Sequence, residues 1–162
     1  MAFFPDQETF TEMAGDYDAI PISRRLLSDS LTPVSAFRRI DNGSTACLFE
    51  SVIGGENVGR YSFLAIDPQV QVASFGNRVT HTEGASSNSY QCKNPLEEIR
   101  RRINLYKVAQ FPDMPPFTGG AVGYAGYDVV RYVEDLPDAP EDDRDLPDMS
   151  FAFYDRMLVF DH

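Results

Sequence analysis

An α+β fold, with antiparallel sheets and separate helices, is what this sequence predicts, and three observations carry it. Short β-prone runs follow one another across Gly- and Asn-containing turns, as in antiparallel hairpins. Two segments carry helix-start signals of their own, apart from those runs. Strands and helices do not alternate regularly, as a doubly wound parallel sheet requires. The 162 residues, 43% hydrophobic and 24% charged, are enough for a buried core.

Along the chain, residues 5–14 predict a short helix with Phe10, Met13 and Ala14 on one face and Gly15 as its stop. With the residues up to 18 it makes an N-terminal helical segment, and residues 19–162 form the main unit. Pro21 keeps residues 19–22 extended, at an edge or in a turn. Thr32 is an N-cap and Pro33 a first helical residue, so a helix runs through Val34, Phe37 and Ile40 to a stop at residues 41–43. Residues 46–52 predict a strand, followed by a Gly54-Gly55 turn and a second strand over Tyr61–Ile66. Val70–Phe75 pairs with residues 79–82 as a hairpin across Gly76-Asn77. Residues 85–89, small and polar, predict a loop. Asn94, Pro95 and Glu97 are read as N-cap, first helical residue and capping-box partner. Leu96, Ile99, Ile103 and Tyr106 follow as one apolar stripe. Arg100, Arg101 and Arg102 lie on that helix as a solvated face. A Pro-rich connection over 111–117 precedes a tightly packed strand at 119–126 and a short helix over Tyr127–Tyr132. Residues 151–160 are strongly β-prone and are expected to form one last strand. So little follows it that further chain is expected to cover it.

The balance of 14 Lys and Arg against 25 Asp and Glu leaves a net charge of −11, which argues against nucleic acid or an anionic membrane surface as a partner. Residues 134–148 hold eight of those acidic groups, one Arg and three Pro. That composition buries too little to pack and predicts an acidic linker, with a docking patch as the alternative. No apolar stretch is long enough to span a membrane, and the first residues lack the basic-then-apolar order of a secretory leader. Two cysteines, Cys47 and Cys92, make no disulfide framework and suggest reduced thiols in the cytoplasm.

A search for chemistry finds little. His81 and His162, with no paired Cys spacing, assemble no metal site. Cys47 heads an apolar strand as an inert thiol. The glycines at 119, 120, 123 and 126 match no phosphate-binding pattern; they suit a strand that another backbone or ring approaches closely. Glu50 follows an apolar run and, if buried, needs a partner. Arg60 is one candidate; the other reading turns Glu50 and Ser51 toward a ligand pocket.

The motifs Leu31-Thr-Pro-Val-Ser-Ala-Phe37, Leu48-Phe-Glu-Ser51 and Gly59-Arg-Tyr-Ser-Phe-Leu64, with Asp67-Pro68, occur in the same order as in a known family. So do Phe117-Thr-Gly-Gly-Ala-Val-Gly-Tyr-Ala-Gly-Tyr-Asp128 and residues 155–162. Together, from about residue 19 to 162, they resemble the N-terminal region of anthranilate synthase component I. The same Glu-Ser and Gly-Arg-Tyr-Ser patterns also resemble aminodeoxychorismate synthase component I; the stretch at 31–37 favours the former. The resemblance implies an interleaved chorismate-utilising fold, in which this region pairs with a C-terminal chorismate-binding region. It implies a lyase that converts chorismate to anthranilate and pyruvate with Mg2+ and with ammonia from a glutamine amidotransferase subunit. The family's catalytic and Mg2+ residues lie in that other region, so no catalytic residue, metal ligand or cofactor is carried over to this chain. What it implies here is half of a tryptophan feedback site, at Leu48, Phe49, Glu50 and Ser51, with Arg60 beside them. Phe49 stands where the family usually has a second Leu, which alters the pocket's shape. A free-standing small-molecule-binding module is the reading from a different class.

Overall fold

A computed structural model describes residues 2–50, 60–138 and 141–162. It is α+β, as predicted, and built on two antiparallel sheets. The helices form where local capping dictates. Asp6 accepts from the Thr9 N–H ahead of α1 (Gln7–Met13). Thr32 and Ser35 exchange side-chain and backbone hydrogen bonds ahead of α2 (Pro33–Ile40), closing a capping box. At α3 (Pro95–Ile103) the Asn94 side chain accepts from the Leu96 N–H. Glu97 does not reach back to complete a capping box there; its carboxylate meets Arg100 at 3.4 Å instead. The expected apolar stripe is also shorter than the spacing suggested. α3 ends at Ile103, and Ile103 and Tyr106 are exposed, because the helix stops before its last turn returns to the sheet.

The smaller sheet has the order β1 (Ala46–Phe49), β2 (Tyr61–Ile66), β8 (Leu158–Asp161). The larger has the order β5 (Ser86–Gln91), β4 (Arg78–Glu83), β3 (Val70–Phe75), β7 (Met149–Tyr154), β6 (Gly120–Ala125). The β3–β4 hairpin closes as expected, with Phe75 opposite Arg78. A 3-10 helix over Tyr127–Tyr132 follows β6. Under α3, Val70, Val72, Val79, Ile99 and Met149 form one buried cluster. Ala65, Ala152 and Tyr154 form another, and Cys47 packs against it, which joins the two sheets.

Three expectations need correction. Residues 86–91 are a strand, not part of a loop. β5 is an edge strand with both faces largely exposed, so it carries no hydrophobic alternation. It is held through Thr80 to Ser89 at 2.8 Å and Thr82 to Ser87 at 3.3 Å across the ladder with β4. Residues 151–160 form no single strand: residues 155–157 break the run, sending β7 between β3 and β6 and β8 to β2. The acidic linker is anchored at its end. Asp148 accepts from the Gly76 N–H at 2.6 Å and from the Tyr132 hydroxyl at 2.7 Å, beside the buried Ser74.

Burial pushes the phenols of Tyr132 and Tyr154 up to about 12, each near a second acidic group, Asp148 or Cys47. A tyrosine raised in the folded state stabilises it below the unfolded value near 10, and that contribution is lost as pH climbs toward 12. The melting temperature should therefore fall between pH 10 and 12. Tyrosinate absorbance of the folded chain should show late-titrating phenols, with one lost in each of Tyr132→Phe and Tyr154→Phe. Titration of all eight tyrosines together near 10 would refute this.

Candidate functional site

Among the described residues, the sequence-derived candidates gather at one end of the smaller sheet. β1 and β2 pair with Leu48 opposite Leu64 and Phe49 opposite Phe63. Glu50 follows the last residue of β1 paired with β2, whereas Arg60 stands three residues before Phe63, next to the β2–β8 ladder. β8 extends the same end, with Tyr61 opposite Asp161. Leu48 is half-buried, whereas Phe49 is 56% exposed. Glu50 is exposed as well. The expectation of a buried Glu50 thus fails: it sits just past the last paired residue of β1, where no layer covers it. Ser51 and the Gly54-Gly55 turn lie outside the described residues.

The proposed Glu50–Arg60 pair is not formed. Arg60 instead makes a two-pronged contact with Asp161, Nε to Oδ1 at 2.5 Å and Nη2 to Oδ2 at 2.8 Å. Its guanidinium also lies over the Tyr61 ring, 4.9 Å from the centroid. The hydrogen bond from Arg60 holds the Asp161 carboxyl below the usual carboxylate range. Next to this pair, the His162 N–H donates to the Arg60 carbonyl at 2.8 Å, and His162 Nε2 lies 2.7 Å from the buried Ser62 hydroxyl. Sequence reasoning missed Asp161, His162 and Ser62 because nothing local marks them. The β2–β8 register brings residues about a hundred positions apart to one place.

The exposed Phe49 and Glu50 lie at the end of β1, whereas Arg60 turns to Asp161 on β8, across β2 from them. The aromatic face suits an apolar ring, the carboxylate an ammonium and the guanidinium a carboxylate. Of the described residues here, Ser62 is buried and Asp161 is committed to Arg60 rather than to His162. Among the described residues, no three His, Cys, Asp or Glu side chains gather as metal ligands. The other polar cluster lies at α3, where Arg101 clamps the nearly buried Glu98 at 2.6 and 3.2 Å, near His81. Arg100 and Arg101 are exposed, as the solvated-face reading expected, and Arg102 covers the Phe153 ring. Cys47 is a free thiol raised by burial, which keeps it protonated and inert. No described helix is long and apolar enough to cross a membrane.

Gly123 fulfils the close-approach expectation for its strand. A Cβ there would fall 2.0 Å from the Ser150 carbonyl oxygen on β7.

No protein-family model matches the chain. Individual proteins do. Anthranilate synthase component 1 of Acetivibrio thermocellus is 41% identical over 160 residues, covering 99% of this chain and 32% of that protein. The same-named protein of Acinetobacter calcoaceticus is 39% identical, covering 90% of this chain and 31% of its own length. Anthranilate synthase alpha subunit 2, chloroplastic, of Arabidopsis thaliana is 38% identical, with 88% and 25% covered. Among solved structures, anthranilate synthase component I from Streptococcus pneumoniae TIGR4 superposes with a TM-score of 0.52 at 28% identity. That match covers 86% of this chain and 29% of the other. The chain spans about a third of the length of the first curated relatives it matches.

Proposed function

We propose, for a chain related to anthranilate synthase component I along nearly its whole length, that it serves as the N-terminal structural and regulatory region of such an enzyme. On this reading the whole protein is a cytoplasmic lyase of tryptophan biosynthesis. It turns chorismate and ammonia into anthranilate and pyruvate, with Mg2+ and a glutamine amidotransferase subunit engaged by its other region. This chain supplies no catalytic residue. Its part is half of a tryptophan feedback site, formed by Leu48, Phe49, Glu50, Ser51 and Arg60. The relatives named above are anthranilate synthases, which favours anthranilate over aminodeoxychorismate as the product.

What supports the regulatory reading is an exposed aromatic, Phe49, followed by an exposed carboxylate, Glu50, at the end of β1, with the cationic Arg60 just before the neighbouring strand β2. Tryptophan offers the matching groups: an indole, an ammonium and a carboxylate. Ser51 adjoins Glu50 in sequence and adds a small hydroxyl donor and acceptor.

The test uses the full-length protein that carries this region, with chorismate, ammonium and Mg2+, the product identified by mass. Anthranilate should form, and tryptophan should inhibit its formation. Ser51→Leu removes a hydrogen bond worth roughly 1–3 kcal/mol at a desolvated site and intrudes on the ligand. It should weaken tryptophan inhibition by about tenfold or more, well beyond any change in kcat. Inhibition that stays intact while kcat or melting temperature falls would make Ser51 a packing residue and refute the assignment.

A further inference from the structure

The geometry points to a binding site for a small anion, one carrying a phosphate or carboxylate group, in the open cleft between α3 and the strands β4 and β5, with Arg102 and Asn88 as the groups that recognise it. This does not depend on the tryptophan site.

The cleft has a volume of about 530 Å³ and is lined by His81 of β4, Asn88 and Tyr90 of β5, and Glu98, Arg101 and Arg102 of α3. That is within the usual size of a small-molecule site. Register builds its sheet side. His81 lies opposite Asn88, and Val79 lies opposite Tyr90. Val79 belongs to the buried cluster with Ile99 of α3, so the side chains at these positions share the face that α3 covers.

Charge inside the cleft is not balanced. On α3 each acid pairs with the Arg three residues on, Glu97 with Arg100 at 3.4 Å and Glu98 with Arg101 at 2.6 Å. The same spacing gives Arg102 only the apolar Ile99, which is buried in the core. Among the described residues the ion pairs of α3 are those two, so Arg102 has no carboxylate partner. It rests instead over the Phe153 ring, 5.5 Å from the centroid. A ring face steadies a guanidinium without using its N–H groups. Side-chain bonds between β4 and β5 lie on the opposite face, Thr80 to Ser89 and Thr82 to Ser87, and among the described residues His81 and Asn88 make none.

Glu98 does not oppose an anion here. Its side chain is 10% exposed, and the hydrogen bond from Arg101 holds its carboxyl below the usual range, so the two charges cancel. In a chain with 25 Asp and Glu, this cleft keeps a guanidinium in surplus. A planar guanidinium fork matches phosphate and carboxylate oxygens, and the Asn88 amide adds a neutral donor.

The test titrates the full-length protein with inorganic phosphate and, separately, with succinate, at an ionic strength held constant with chloride. Binding is read by calorimetry and by the rise in melting temperature. At least one anion should bind with a Kd of about 1 mM or tighter, and the one that binds better names the head group. Arg102→Gln and Asn88→Asp should each weaken that binding by about tenfold or more. Asn88 is exposed on an edge strand, so its variant folds even if Arg102→Gln, which loses the contact with Phe153, does not. Arg100→Gln, on the same helix but not among the residues lining the cleft, should bind like wild type. Failure of both anions to bind would overturn the inference. Binding untouched by Asn88→Asp would overturn it too. Equal weakening by Arg100→Gln would reduce the effect to general attraction by a basic helix and would also overturn it.

Discussion

Gly123→Ala should destabilise the chain by about 3 kcal/mol or more, far beyond what one methyl group does on an exposed strand. The added Cβ would fall 2.0 Å from the Ser150 carbonyl oxygen and 2.7 Å from the Phe151 Cα. Carbon atoms in comfortable contact stand about 3.5–4.0 Å apart. Both obstacles are backbone, on the strand that pairs with β6, so no rotamer change relieves them. β6 would have to move away from β7, breaking ladder bonds at the edge of the five-stranded sheet. Two other glycines calibrate the result. At Gly126 a Cβ would meet the Asp148 carbonyl at 3.1 Å, and a small shift accommodates it. At Gly15 it would meet nothing within 4 Å. Denaturant midpoints should therefore rank Gly15→Ala above Gly126→Ala, and Gly126→Ala well above Gly123→Ala. A Gly123→Ala chain as stable as Gly15→Ala would show that β6 does not lie against β7 as described. Typical domains hold only about 5–15 kcal/mol in total, so the loss would be plain in any unfolding measurement.

The second large effect is expected at Leu64→Ala. Leu64 is 0% exposed, at the middle of β2, and its ladder partners are Leu48 on one side and Leu158 on the other. Removing a leucine side chain from such a position costs about 2–5 kcal/mol, the lost transfer free energy plus the cavity left behind. The spread reflects how far the neighbours collapse. Here the flanking residues belong to two different strands, so collapse would disturb both ladders. The same strand carries Arg60 to its place, so slower-exchanging amides along residues 61–66 should lose protection in parallel with the fall in stability. Leu27→Ala, 81% exposed, is the matching control and should change stability by less than about 0.5 kcal/mol. Equal effects of the two substitutions would mean that the smaller sheet has no packed interior around Leu64.

Much of the chain was legible because its signals are local. Thr32 with Pro33 and Asn94 with Pro95 satisfy orphan backbone donors within three residues, so the starts of α2 and α3 follow from sequence alone. β2, β3 and β4 were visible from their β-prone runs and from the turn at Gly76, which has a positive φ of 52°. The glycines of β6 announced a close approach of another backbone, and Gly123 against Ser150 is that approach. Leu48 and Phe49 were picked out by family motifs, because nothing in their spacing distinguishes an effector site from an ordinary strand end. Glu50 was first picked out as a carboxylate after an apolar run, on an expectation of burial that its exposure overturns.

What the sequence by itself determined is therefore the set of segments: the starts of two helices, most strands and an acidic stretch over 134–148. Beyond the β3–β4 hairpin, tertiary structure decided which segments meet. It made an edge strand of the polar residues 86–91, which lack alternation because only Tyr90 among them packs on the core. It divided the β-prone run of residues 151–160, giving one half to each sheet. It also gave Arg60 to Asp161 rather than to Glu50, across a sequence separation of 101. The reason is one of range. A cap or an alternation is complete within a few residues, whereas a ladder partner is chosen by the packing of the whole sheet, and several segments of similar composition compete for each edge.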